Sequence, residues 1–150
     1  MSMKLGKESF FLIMIDYDKK MDESIKRNKK FIDEFKEWLE SKKLGIKTIN
    51  KHISNIELYL NDYLCYYDFQ TMEDGVLEAG IFLSGWYVEK CMWVSRTSLK
   101  EMAASLKKFY LCMSEKGYVR KEEYESMCDG LKDSMEEAIH MLELEEDYYW

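Results

Sequence analysis

The sequence predicts an all-α chain folded as a single helical bundle, and three observations carry that prediction. Apolar residues recur at three- and four-residue steps over most of the chain. Proline is absent and only seven glycines occur in 150 residues, whereas β-rich folds spend both on frequent turns. Hydrophobic residues make up 47% of the chain, which supplies a packed core and is too apolar for a disordered segment.

The elements follow in order. Residues 1–20 carry one apolar run, Phe10–Ile15, too short for its periodicity to separate a strand from the first turns of a buried helix. They are read as a short irregular segment. From Asp22 the pattern is helical: Ile25, Asn28, Ile32, Phe35 and Leu39 form a stripe flanked by Phe31 and Trp38. Gly45, after Lys42, Lys43 and Leu44, is read as the C-terminal stop of that helix, with the lysines at the negative dipole end. A second helix opens at Thr48 or one residue earlier, with Ile49, Ile53, Ile56, Leu60 and Leu64 on its apolar face. Residues 61–71, rich in Tyr and Asp, turn the chain.

A third helix is predicted from about Met72 to Cys91. It is apolar nearly all round (Val76, Leu77, Ile81, Leu83, Trp86, Tyr87) and therefore central. Ser95 to Ser98 offer N-caps for a fourth helix bearing Leu99, Met102, Leu106, Phe109 and Met113, which stops at Gly117. A last helix, about 121–147, carries Tyr124, Met127, Leu131, Met135, Ile139 and Leu142. With residues 1–20 this makes about six elements in one domain, 1–150. The expected core joins Phe35, Trp38, Leu39, Ile49, Ile53, Ile56, Leu60, Ile81, Leu99, Leu106 and Phe109.

Charge is unevenly placed. The net is −7 overall, but +3 over residues 1–60, −5 over 61–94, +5 over 95–121 and −10 over 122–150. Two basic blocks therefore precede a strongly acidic helix. The longest apolar run is far short of a membrane span, and no signal-like start is present, so no membrane partner and a cytoplasmic location are expected. Cys65, Cys91, Cys112 and Cys128 form no CxxC pair and are read as free thiols; neither a metal site nor a cofactor is expected. Asp16 and Asp18, and Glu143, Glu145, Glu146 and Asp147, lack calcium-loop spacing and are read as solvated acid. No nucleophile–base constellation is visible, the eleven tyrosines included, so the chain is read as a non-enzyme with no catalytic residue.

Two stretches resemble a known family. FIDEFKEWLESKKLGIKTINKHISNIELYL (residues 31–60) is similar to the start of the core-binding domain of tyrosine recombinases and phage integrases, where a helix ends in a small basic turn and a Lys-Thr pair opens the next. TSLKEMAASLKKFYLCMSEKGY (residues 97–118) resembles the fourth helix of that domain. The resemblance spans about residues 25–120. It implies a SAM-like four-helix core that clamps duplex DNA, with the acidic helix added after it. The family's catalytic domain is missing: only Arg27, Arg96 and Arg120 occur, and there is no His-x-x-Arg.

On that resemblance the DNA-binding candidates are Lys42, Lys43, Lys47, Lys51, Arg96, Lys100, Lys107 and Lys108, as phosphate contacts at basic helix starts. The expected function is a non-catalytic, recombinase-like domain that binds duplex DNA. The alternative is a helical protein-interaction or oligomerisation module that has lost DNA, with a homodimer or protein partner held through the C-terminal helix. The acidic face of that helix is expected to keep phosphate to the opposite side of the bundle.

Overall fold

The computed structural model describes residues 2–91 and 93–149, and side chains from residue 6 to residue 145 apart from residue 92. Among the described residues the chain is an all-α bundle without strands. Five helical segments build it: α1 Ser2–Ser41, α2 Ile46–Glu57, a broken α3 over residues 79–90, α4 Arg96–Glu115 and α5 Lys121–Tyr149. The side chains of Glu146, Asp147, Tyr148 and Tyr149, and the whole of Trp150, lie outside the described residues.

The first difference from expectation is at the start. Residues 2–20 are not irregular; they are the first half of a single 40-residue helix that runs on through the stripe read from Asp22. The seam spacing carries through without a break, since Phe10, Tyr17, Ser24, Phe31 and Trp38 are seven apart, as are Met14, Met21, Asn28 and Phe35. Burial begins at Met21 and Ser24 and is complete at Phe35 and Leu39.

The α1–α2 corner also differs. Lys43 (φ 59°) takes the left-handed conformation, while Gly45 is extended and caps α2, its carbonyl accepting from Ile49 N–H at 3.0 Å. Gly45 therefore starts a helix instead of ending one; glycine is tolerated at an N-cap because it leaves the first N–H groups to solvent. Ile49, His52 and Ile56 face inward, and α2 then widens into a π-helical turn, Leu58–Tyr63, which lets both Tyr59 and Leu60 point into the core.

The third helix is present but interrupted: a 3-10 turn at Asp74–Leu77, α at Ala79–Ile81, a π turn at Phe82–Trp86 and α again at Tyr87–Lys90. It is half-buried, not central. Val76, Ala79, Phe82, Leu83, Tyr87 and Val88 face the core, whereas Leu77 and Ile81, the latter expected in the core, are 63% and 66% exposed. That pair, four residues apart, lies on the side of the helix opposite Val76, Ala79 and Leu83. Trp38 and Ile53 sit at the edge of the core; the other residues expected there are buried in it.

α4 is the central helix. Ser95 and Ser98 close a reciprocal capping box at its start. Gly117 (φ 83°) ends it in a Schellman turn, with Tyr118 N–H donating to Met113 O at 2.9 Å and Gly117 N–H to Ser114 O at 3.0 Å. The short connection returns α5 antiparallel along α4, burying Met127, Leu131 and Ala138. The apolar stripe of the acidic helix is thus spent on its own bundle.

One junction locks these parts together. Tyr59 Oη donates to the Gly75 carbonyl and Tyr110 Oη to the Met72 carbonyl (2.8 Å), so two buried rings hold the 72–75 turn. A Cβ on Gly75 would lie 2.5 Å from Tyr110 Oη and 2.8 Å from Leu64 Cδ1. Gly75→Ala should therefore destabilise the fold by about 1–3 kcal/mol through overpacking. Leu106→Ala, which empties a fully buried site, should cost about 2–5 kcal/mol. Urea unfolding measures both, and wild-type stability in either variant contradicts the packing described.

Candidate interaction surfaces

The eight basic candidates fall into three groups. Lys42 and Lys43 sit at the α1–α2 corner, Lys42 Nζ standing 4.8 Å over the Trp38 ring, whose Nε1 donates to Glu115 Oε2 at 2.6 Å. Lys47 is exposed in the first turn of α2. One turn on, Lys51 is ion-paired to Glu101 of α4 (2.5 Å), and Lys108 lies near enough to act on the charge of His52. Arg96, Lys100 and Lys107 share one stripe of α4, being four and seven residues apart.

That last group meets α5. Arg96 is ion-paired to Glu143, and Lys107 shares a cavity of about 340 Å³ with Asp129, Lys132 and Glu136. The acidic face therefore adjoins Arg96 and Lys107 of α4 instead of lying opposite them. Lys47 and Lys100 have no carboxylate within ion-pair distance among the described residues.

Between α2 and α4 lies a buried polar cluster that periodicity does not reveal. Ser105 Oγ donates to the Glu101 carbonyl (3.0 Å), accepts from Asn55 Nδ2 (3.0 Å) and lies 2.7 Å from His52 Nδ1. With its proton committed to the carbonyl, the hydroxyl accepts from His52, which fixes the proton on Nδ1. Ser105 is fully buried, so this His–Ser pair ties two helices and presents no nucleophile to solvent. Burial, then the Lys108 and Lys51 cations, push the His52 pKa down, with Glu101 opposing them in part.

Cys65, Cys91 and Cys112 are buried thiols, pushed up by burial, Cys112 to about 11. They are poor nucleophiles at neutral pH. Among the described residues no three His, Cys, Asp or Glu side chains gather as a metal would need. Asp16 is ion-paired to Lys20 at 3.2 Å.

The longest run of exposed apolar side chains among the described residues lies on α1. From residue 6 to residue 20 every side chain is exposed, so this half of the helix forms an arm beyond the bundle. Phe10, Phe11, Leu12 and Ile13 are each 65% exposed, with Met14 at 47% and Ile15 at 50%. Only Tyr17 leans on a neighbour, its ring 5.3 Å from that of Phe69. Periodicity alone does not say whether a bundle covers so short a run. No helix among the described residues is long and apolar enough to cross a membrane.

No family model, no curated protein and no solved structure matches this chain.

The His52 cluster predicts a pH dependence. A histidine whose folded pKa lies below its unfolded value of about 6.5 takes up protons more readily in the unfolded state. Stability is therefore whole above that value and falls as pH drops below it. Thermal unfolding between neutral and mildly acidic pH should show this loss, and His52→Gln should flatten it. An equal slope in the variant refutes the assignment.

Proposed function

We propose that this chain is a non-catalytic helical module that works by binding a macromolecular partner through the α1 arm. The observation that carries the reading is the six-residue run Phe10–Ile15, exposed on every face of a helix that the bundle does not touch there. Each large apolar side chain left in water forgoes about 1.5–3 kcal/mol relative to full burial. Contiguous apolar surface of this kind marks interaction sites. The seam spacing of the arm continues that of the buried half of α1, so the arm offers a partner the same kind of face that α1 offers its own bundle.

A photo-crosslinking residue placed at Phe11 tests this in the cells that make the protein. Adducts should form there, should be absent at the exposed bundle position Lys29, and should vanish when Phe10 and Met14 are changed to Glu with the helical signal kept. A folded chain giving no more adduct at Phe11 than at Lys29 overturns the reading.

A second reading, duplex DNA, has its own observation. Lys47 stands unpaired in the opening turn of α2, where a cation opposes the helix dipole at a cost of about 0.3–1 kcal/mol, and Lys100 stands unpaired one turn into α4. Such placement supports an anionic partner, and phosphate contacts make binding steeply salt-dependent. Lys47→Glu, Lys100→Glu and Lys107→Glu together leave the ion pairs of Lys51 and Arg96 intact. The triple variant should lose DNA affinity by more than about tenfold at low salt. Absence of binding by the folded wild-type chain at low salt excludes this reading.

A further inference from the structure

We propose that the partner of the arm is the arm of a second copy of this chain, laid antiparallel across a two-fold axis between Leu12 and Ile13. The inference rests on reading the arm as an interaction surface and names what covers it.

The argument starts from the wheel of the helix. At 100° per residue, Phe10, Ile13, Met14 and Tyr17 form one face, and it is the face that continues in step into Met21, Ser24 and Asn28. Lys7 and Asp18 lie on one edge of that face, eleven residues or about 16.5 Å apart. Glu8 and Asp16 lie on the outer side, where Asp16 pairs with Lys20 of its own helix.

This placement distinguishes the two ways of pairing like helices. Antiparallel arms centred between Leu12 and Ile13 bring Lys7 of each copy level with Asp18 of the other, so an opposite-charge pair forms twice. Parallel arms would place the Lys7–Asp18 edges of the two copies on opposite sides of the seam, so neither opposite-charge pair would form. The antiparallel arrangement is also isologous, so it closes without leaving a free face for chain growth. In the same register Met14 packs against Phe10 of the other copy on both sides of the axis.

The area sets the strength. Phe10, Ile13, Met14 and Tyr17 offer on the order of 100 Å² each at their observed exposure. Two arms then bury about 800 Å², the size of a weak association that dissociates on dilution. Phe11 lies just beyond the edge of this face. Leu12 and Ile15 remain on the outer side of the pair.

Sedimentation and light scattering of the full chain over a wide concentration range test the proposal. The expected result is a dimer that dissociates on dilution and is abolished by Phe10→Glu with Met14→Glu, while circular dichroism and the melting of the bundle are retained. Lys7→Glu alone, or Asp18→Lys alone, should weaken the dimer roughly 3- to 30-fold, each lost pair counting twice. The double reversal Lys7→Glu with Asp18→Lys should restore it.

A monomer at every concentration overturns self-pairing, as does a dimer indifferent to the arm variants. A dimer not rescued by the double reversal overturns the antiparallel register. A monomer that cosediments with vesicles of phosphatidylglycerol and phosphatidylcholine shows that lipid takes the place assigned to the second copy. A monomer that still crosslinks to another protein through Phe11 refutes self-pairing alone and leaves the arm an interaction surface.

Discussion

Two tyrosine hydroxyls hold the bundle together at its least regular point. Residues 64–78 contain no full α-helical turn, yet they must cross between α2 and the broken α3 inside the core. The Met72 and Gly75 carbonyls each accept once within the turn, from the N–H groups of Gly75 and Glu78, and Tyr110 from α4 and Tyr59 from α2 add a second donor to each. Both phenols are fully buried, and a hydroxyl left unpaired there would cost about 1–3 kcal/mol. Burial drives both phenols well above their ordinary pKa, so the protons stay on oxygen and the donors persist at any physiological pH. The rings do the packing as well: Tyr59 meets Phe82 edge-on at 4.8 Å, and Phe82 stacks near Trp86. Gly75 is what lets the turn come close enough to be held.

The same logic places α4 at the centre. On one side Ser105 ties it to His52 and Asn55 of α2; on another it carries the aromatic contact between Phe109 and Phe35 of α1; along a third it receives α5. Polar ties at defined positions fix the register of a helix that hydrophobic contact alone would let slide. Asn28 serves α1 similarly, its amide donating to Leu60 O and Asn61 Oδ1 at 3.3 and 2.9 Å.

Much of this was legible in the residues, and the failures share a cause. The cap at Ser95, the stop at Gly117 and the inward stripes of α2, α4 and α5 follow from local chemistry, and each is found where periodicity and capping put it. What local chemistry could not tell is which apolar surface meets which. Ile81 looked like core because its neighbours are apolar, but it shares with Leu77, four residues earlier, the side of the helix opposite the buried Val76, Ala79 and Leu83. Phe10–Ile15 was too short to assign because its helix is set by the 20 residues that follow. Gly45 was compatible with either side of a corner, and only the left-handed Lys43 decides it. Among the basic candidates the sequence showed spacing along each helix but not the acidic neighbour across the groove, so Arg96 and Lys51 looked free when both are paired.

The arm poses a question that fold stability does not answer. An isolated helix of some fifteen residues is marginal in water, yet residues 6–20 need no contacts of their own to stay helical. They extend a helix already nucleated by the packed half, and each added residue gains a backbone hydrogen bond at little cost. Polar residues with good helix propensity would extend it as well or better, because Ile and Phe are only middling helix formers. Helicity therefore gives no reason for six apolar side chains in a row, and bundle packing gives none either, since all six are largely exposed and the bundle reaches back only to Tyr17. Exposed clusters of this kind carry a standing cost in aggregation. The physical reason for the run lies outside the folded chain, in a surface that covers it. The edge charges narrow that surface further: Lys7 before the run and Asp18 after it complement a helix of the same sequence read in the opposite direction. The arm is best understood as half of a structure whose other half is supplied on association.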